Sequence, residues 1–123
     1  MPEVSIEVQR VINEQGEFNY SKCTLSTKRV EERSPRVIEN GSIYLGQWHA
    51  KSNKREGKGK ILFIDGSLFE GSFENNYISG FGRYIKHDGE CYEGEWTKDT
   101  MTGYGVLTTP EGYKYSGNWD DGK

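Results

Sequence analysis

A short pattern of aromatic residues and glycines recurs along the chain, and it constrains the fold more than any other feature. In "YEGEW", Tyr92, Gly94 and Trp96 alternate with two glutamates. The copies of this spacing are Tyr44/Gly46/Trp48, Phe69/Gly71/Phe73, Tyr92/Gly94/Trp96 and Tyr115/Gly117/Trp119. The later copies lie 23 residues apart, and the first interval, 25 residues, contains two extra residues after Trp48. A period of this length predicts a repeat architecture rather than a single phosphate-binding loop.

Each copy predicts a β-hairpin. In "YEGEW" the aromatic residues and the glycine share one face of a strand, and Glu93 and Glu95 share the other, as in a half-buried strand. The return strand is expected to begin at a Gly-x-Gly pair, and these pairs are Gly57/Gly59, Gly80/Gly82 and Gly103/Gly105. Because glycine has no side chain, we expect an aromatic ring from the neighbouring strand to lie flat across it.

Tight turns are predicted to connect the strands. Within the hairpins the turn dipeptides are Asn75-Asn76, Lys98-Asp99 and Asp121-Gly122. Between hairpins they are Asn40-Gly41, Asp65-Gly66, Asp88-Gly89 and Glu111-Gly112. Asn, Asp and Gly tolerate the positive φ angles that such turns require. The sequence therefore predicts an all-β fold, an elongated single-layer antiparallel meander of β-hairpin repeats.

The complete pattern resembles the MORN (membrane occupation and recognition nexus) repeat. Tyr-x-Gly-x-Trp, the turn, Gly-x-Gly and a glycine seven residues later carry the resemblance over residues 40–123, about three and a half copies. The glycine of the family that follows the Trp by three residues is present only at Gly122, and Lys51, Asn76 and Asp99 replace it elsewhere. The resemblance implies an interaction module of cytoskeletal, ciliary or membrane-junction proteins.

Residues 1–39 are predicted to form a degenerate or capping N-terminal segment. The stretch "RVINEQG" resembles "RVIENG" further along, but the aromatic pattern does not follow it. Atypical terminal copies commonly cap repeat arrays. Val4, Ile6 and Val8 alternate as in a strand, whereas Val4, Val8 and Val11 also fit a helix. The β-branched content favours irregular strands, and it is open whether the segment folds back over the sheet.

Composition narrows the classes of protein to which the chain can belong. Aromatic residues make up 13% of it and its net charge is only −3, which argues for a folded chain despite a mean hydropathy of −0.86. The apolar run "ILFI" is far shorter than the roughly 20 residues that span a bilayer. The N-terminus does not resemble a secretory signal. Sixteen basic and 19 acidic residues leave no basic footprint for nucleic acid.

No motif predicts catalysis, a cofactor or a metal. The glycine pairs lack the third glycine of a dinucleotide fingerprint. His49 and His87 have no partner at metal-ligand spacing, and no histidine lies near Cys23 or Cys91 in sequence. Two cysteines are too few for a disulfide framework, so we expect the reducing cytoplasm, and the resemblance adds a cytoskeletal or axonemal location.

Two surface features are candidates for binding. The first is the aromatic stripe of Tyr44, Trp48, Phe69, Phe73, Tyr92, Trp96, Tyr115 and Trp119. These rings are expected to pack on the glycines and on each other and so to hold the sheet together. A single-layer sheet has no second sheet over its apolar face, so we also expect a partner helix or extended segment along the stripe, and the sequence does not separate structural rings from contact rings. The second is the basic cluster of Lys51, Lys54, Arg55, Lys58 and Lys60. Such a cluster can attract anionic lipid, although a solvated loop is the favoured interpretation.

The last predicted strand, Tyr115 to Trp119, lacks a return strand in this sequence. Either the array continues in a longer chain or another chain completes it, so edge pairing or self-association is expected here. Together these features predict a noncatalytic protein–protein interaction scaffold of a larger intracellular, cytoskeletal or ciliary assembly. The alternatives are an anionic-lipid-binding module with peripheral membrane contact and a regulatory domain of a larger enzyme.

Overall fold

One open antiparallel sheet of nine strands dominates the computed structural model, which describes residues 3–23 and 26–120. The strands are β1 (Val30–Glu32), β2 (Arg36–Val37), β3 (Ile43–His49), β4 (Arg55–Leu62), β5 (Leu68–Glu74), β6 (Tyr77–Ile85), β7 (Cys91–Thr97), β8 (Thr100–Thr108) and β9 (Lys114–Trp119). From β3 to β9 each strand pairs with the next along the chain, and β1 and β2 both pair with β3. The predicted meander of hairpin repeats is confirmed.

A continuous row of glycines crosses the sheet from β3 to β9. Each of these glycines is the register partner of the next, in the order Gly46, Gly59, Gly71, Gly82, Gly94, Gly105 and Gly117. The first aromatic residue of each copy lies over this row. A Cβ on Gly82, for example, would stand 2.7 Å from Cε1 of Phe69 on the neighbouring strand. The expected packing of rings on glycines is confirmed.

The two glycines of each Gly-x-Gly pair have different roles. The second belongs to the row beneath the rings. The first lies where the register shifts between the strands of a hairpin, opposite Gln47, Ser72 or Glu95. Gly80, for example, has a φ of 94°, which an L side chain rarely adopts. The first glycine therefore permits a β-bulge, and only the second makes room for a ring.

The two-residue hairpin turns form as predicted at Asn75-Asn76 and Lys98-Asp99, where all four residues have positive φ. Their second residues also connect neighbouring hairpins. Oδ1 of Asn76 accepts a hydrogen bond from the Arg55 backbone N–H at 2.7 Å, and Oδ1 of Asp99 accepts one from Ile78 at the same distance. The turn predicted at Asp121-Gly122 lies outside the described residues.

The preference for strands near the N-terminus was wrong. Residues Ile6–Gln15 form helix α1. Ser5 caps it by accepting a hydrogen bond from the Val8 N–H at 3.1 Å, and Gly16 ends it with a φ of 86°. These capping interactions and the burial of Val8 and Val11 outweigh the weak strand preference of the β-branched residues.

Helix α1 lies on the face of the sheet opposite the rings. Its buried valines pack against Leu68, Ile85 and Cys91, in a cluster separate from that of the aromatic stripe. This face, which carries the glutamates that alternate with the rings, also buries Glu70, and Glu70 pairs with Arg83 at 3.2 Å. Helix α1 thus folds back over the face opposite the rings. Later residues of the N-terminal segment contact the ring face, where the guanidinium carbons of Arg33 and Arg36 lie 5.4 Å and 5.3 Å from the Trp48 ring centroid.

The first hairpin is held at its edge by residues of the predicted cap. Strands β1 and β2 lie beside β3, with Glu31 opposite Trp48 and Arg36 opposite Tyr44. Arg33, which lies between β1 and β2, donates hydrogen bonds to two carbonyl oxygens. One is that of His49 at the end of β3 (3.2 Å), and the other is that of Ser52 in the longer β3–β4 connection (2.9 Å). These contacts join residues on both sides of residue 39. The predicted boundary there, between a capping segment and the repeat array, stays a prediction.

Candidate binding groove

The aromatic stripe forms one continuous row of edge-to-face contacts. Ring centroids lie 5.0 Å apart for Tyr44–Trp48, 5.1 Å for Tyr44–Phe73, 5.3 Å for Phe69–Trp96 and 5.1 Å for Tyr92–Trp119. Because the last three of these contacts link successive hairpins, each repeat contributes rings to the core of its neighbours. Edge-to-face pairs each stabilise by about 0.5–1.5 kcal/mol beyond the area they bury.

Most of the stripe is core. Tyr44 and Phe69 have no exposed surface, and Trp48, Phe73, Tyr92 and Trp96 are also buried. At the β9 end the stripe opens, and Tyr115 is 54% exposed. The stripe therefore first serves to hold the sheet together. Direct contact of a partner with the whole stripe stays a prediction, and of the buried rings Phe73 and Trp96 reach an open surface.

That surface is a groove of about 520 Å³ on the ring side of the sheet. Phe73 and Trp96 contribute to its wall, together with a second row of apolar side chains, Ile38, Ile61, Phe63, Ile64, Ile78 and Tyr84. Ile64 is 69% exposed, and most of the others are half-buried. We call this feature the ring-face groove.

Sequence reasoning missed the second row, although the chain carries a signal for part of it. Ile61 and Tyr84 each follow the second glycine of a pair by two residues, on the same face of the return strand as that glycine. Ile38 and Phe63 precede equivalent turns, because the N–H of each donates to the carbonyl four residues later, that of Ser42 and Ser67 respectively. Each of these serines directly follows the glycine of its turn. The signal for Ile61 and Tyr84 was an apolar residue two positions after the second glycine of a Gly-x-Gly pair.

The border of the groove is polar, and three of its four charged side chains are acidic. Arg55 donates to Glu39 at 3.0 Å and to the Asn76 carbonyl at 3.1 Å. A hydrogen bond from its own backbone and the Arg55 guanidinium lower the pKa of Glu39. Burial opposes ionisation of Asp65, but hydrogen bonds from the Ser67 backbone N–H and hydroxyl outweigh it and lower its pKa. Asp99 completes the border.

The basic cluster does not form one surface. Arg55 lines the ring-face groove, whereas Lys58 and Lys60 lie on the opposite face near Tyr20. Lys51 and Lys54 belong to the connection between β3 and β4. The five charges therefore point in several directions.

Metal-ligand grouping and thiol burial can be read from the described residues. Among residues 3–23 and 26–120, no three His, Cys, Asp or Glu side chains are grouped as a metal site requires. Cys23 and Cys91 are separate buried thiols, and burial raises the pKa of Cys91 to about 12, which keeps it protonated at neutral pH. Within the same ranges no helix is long and apolar enough to cross a membrane.

The family of the chain follows from this repeat structure and from comparison with known proteins. The family model of the MORN repeat matches three consecutive segments, residues 44–68, 69–91 and 92–112, each of which begins at the first aromatic residue of a copy. A search of curated proteins found no match. MORN repeats are a noncatalytic repeat type that acts in protein or membrane interactions. Because the matched segments cover more than half of the sequence, the chain belongs to the MORN repeat family.

Proposed function

We propose that this chain is a noncatalytic interaction scaffold whose ring-face groove binds a helix or an extended segment of a protein partner. The assembly to which it would belong is intracellular, and its cytoskeletal or ciliary character rests on the family resemblance. Peptide-binding grooves of this kind take apolar anchor side chains from one face of the bound segment.

The observation that supports this proposal is the open apolar wall of the groove. Phe73 and Trp96 are held in place by their contacts with the other rings of the stripe, and Ile64 and Ile78 line the same groove. Helix α1 lies on the opposite face and does not line the groove. A rigid apolar concavity with a few polar groups at its border is the usual form of a binding site.

The test uses an exposed residue of the groove, because substitution of the buried rings would damage the core. Ile64→Glu places a charge in the groove, and Ile6→Glu makes the same change on the exposed side of α1, where Ile6 is 87% exposed. Each full-length variant is used to capture proteins from lysate. A captured protein is then purified and its affinity measured by calorimetry. We expect Ile64→Glu to weaken binding at least about tenfold and Ile6→Glu to leave it unchanged. Equal affinities for all three chains would refute the groove as the binding site.

A second contact is proposed at the outer edge of β9. The Thr109 N–H donates to the Tyr113 carbonyl. Hydrogen-bonded pairs alternate along an antiparallel ladder, so the backbone groups of Tyr115, Gly117 and Trp119 also bond to β8. The backbone groups of Ser116 and Asn118 consequently point outward, and no described strand pairs with them. Two copies of the chain could pair their β9 strands antiparallel, with Gly117 of one opposite Gly117 of the other. This pairing would extend the glycine row and place Ser116 of each copy opposite Asn118 of the other.

Sedimentation analysis of the chain tests this contact. Self-pairing predicts a dimer that forms with rising protein concentration and is lost in Asn118→Pro, which removes an outward N–H donor. Asn118→Ala keeps that donor and is expected to dimerise. A monomer at all concentrations would refute self-pairing.

The separate directions of the basic side chains favour a protein partner over anionic lipid. Co-sedimentation with phosphatidylserine vesicles distinguishes the two. Salt-sensitive binding that is lost in a Lys58→Gln, Lys60→Gln variant would support the lipid alternative instead.

A further inference from the structure

Charged groups at the border of the ring-face groove define the chemistry of its occupant. Four charged side chains line the groove, namely Glu39, Arg55, Asp65 and Asp99. Arg55 and Glu39 form an ion pair with each other, so their charges largely cancel. The two that remain, Asp65 and Asp99, are both acidic.

Each of these carboxylates is held in place by the backbone through one oxygen. Oδ1 of Asp65 accepts from the Ser67 N–H at 2.9 Å, and Oδ1 of Asp99 accepts from the Ile78 N–H at 2.7 Å. Within residues 3–23 and 26–120, no Lys, Arg or His lies within ion-pair distance of either. Neither carboxylate is therefore paired with a cation of the described residues, and each can pair with a cation from outside the chain.

The two carboxylates stand at opposite ends of the strands. Asp65 lies in the turn between β4 and β5, and Asp99 lies in the turn between β7 and β8. In an antiparallel meander these two turns lie at opposite ends of the strands, and the apolar wall of the groove lies between them on the ring face. An occupant would thus meet an apolar surface along its middle and a negative charge on each side.

Building on the proposed function, we propose that the groove selects a cationic amphipathic segment of a protein, with apolar side chains against the groove wall and Lys or Arg side chains on Asp65 and Asp99. Hydrogen bonds between a cation and a carboxylate are stronger than neutral ones and orient the bound segment. The net charge of −3 on the chain also steers a cation toward it. The same two carboxylates repel anionic lipid headgroups, so a protein segment fits better than a membrane surface.

The chain offers conservative variants for a test. Asp65→Asn and Asp99→Asn remove the charge but keep the Oδ1 acceptor, and Asn76 already uses its Oδ1 in this way. Asp88→Asn is the matched control. Asp88 occupies the equivalent turn between β6 and β7 and accepts from the Glu90 N–H at 2.9 Å, but it does not line the groove. Thermal melts of all variants verify that each remains folded.

The probes are two synthetic amphipathic helical peptides of about 18 residues with the same leucine face and either lysine or glutamate on the polar face. Fluorescence anisotropy measures their affinity for the full chain. We expect the lysine peptide to bind at least about tenfold more tightly, and the Asp65→Asn, Asp99→Asn double variant to remove most of that difference. Asp88→Asn should preserve it, and added salt should reduce it.

The outcomes separate this inference from the proposed function. If both peptides bind equally and Ile64→Glu weakens both, the groove binds segments but the selection of cations is refuted. If Asp88→Asn reduces lysine-peptide binding as much as the double variant does, the preference is general attraction to an acidic protein, which also refutes it. If neither peptide binds, or Ile64→Glu has no effect on either, the groove itself fails as a binding site.

Discussion

Tyr44 lies with its ring across the backbone of Gly59 on the neighbouring strand, so close that a Cβ on Gly59 would stand 2.7 Å from Cζ of Tyr44. The Tyr44 hydroxyl donates to the Gln47 carbonyl at 2.6 Å and fixes the ring there. Phe69 on Gly82 and Tyr92 on Gly105 repeat the arrangement. The glycine row thus provides the space in which the aromatic core packs.

Gly59→Ala is predicted to destabilise the fold by about 1–3 kcal/mol, because the buried Tyr44 ring cannot move away from the added methyl group. Gly117→Ala is the control. Its neighbour Tyr115 is 54% exposed, and its nearest ring carbon would be 3.2 Å from the new Cβ, so the ring can shift. Urea unfolding measures both, and equal losses of stability would contradict the packing argument.

Asn75 and Asn76 form a matched pair for a test of the turn. Both have positive φ, but only the side chain of Asn76 bonds to the Arg55 N–H. Asn76→Gly should therefore cost about 1 kcal/mol even though the family carries glycine at this position. Asn75→Gly should change the free energy of unfolding by less than about 0.5 kcal/mol. If the two variants unfold alike, the bond between hairpins contributes nothing measurable.

Ser5→Ala is predicted to loosen helix α1. The Ser5 side chain caps the helix at Val8, and its hydroxyl donates to the His87 carbonyl at 2.7 Å. Loss of such a cap costs about 1 kcal/mol. Hydrogen exchange should accelerate at the α1 amides and stay unchanged in β5–β7. Unchanged exchange in α1 would show that packing alone holds the helix.

Acid is predicted to weaken the contact between Glu39 and Arg55. The pKa of Glu39 lies below its ordinary value of 4.5 in the folded chain, so the ionised form stabilises the fold at neutral pH. That contribution is lost as the pH falls through the folded pKa. Between neutral pH and about pH 3, the wild type should lose more unfolding free energy than Glu39→Gln. Equal losses would refute the contribution of this pair.

Much of the fold follows from local sequence periodicity. The spacing of Tyr92, Gly94 and Trp96 sets one strand face, and Asn75-Asn76 sets a turn, so both can be predicted from a few neighbouring residues. Because each hairpin contacts chiefly its neighbours, repetition of one unit predicts the whole sheet. The ring–glycine packing follows from the same spacing.

The ring-face groove could be predicted only in part. Phe73 and Trp96 belong to the predicted stripe, but Ile38, which is half-buried, and Ile64, which is exposed, come from turns whose path over the sheet local patterns do not specify. The aromatic pattern also gave no sign that Tyr44 is wholly buried while Tyr115 is half exposed. That difference depends on how many strands flank each ring.

The sequence by itself determined the repeat, its hairpins and the row of glycines, because residues close in the chain specify each of them. Only the tertiary structure decided the rest. It placed Val8 and Val11 of a helix, rather than strands, on the face opposite the rings, and it formed a groove between Phe73 and Ile64. These outcomes depend on long-range packing, in which the burial of a helix against distant strands outweighs the local strand preference, and no short window of sequence contains that balance.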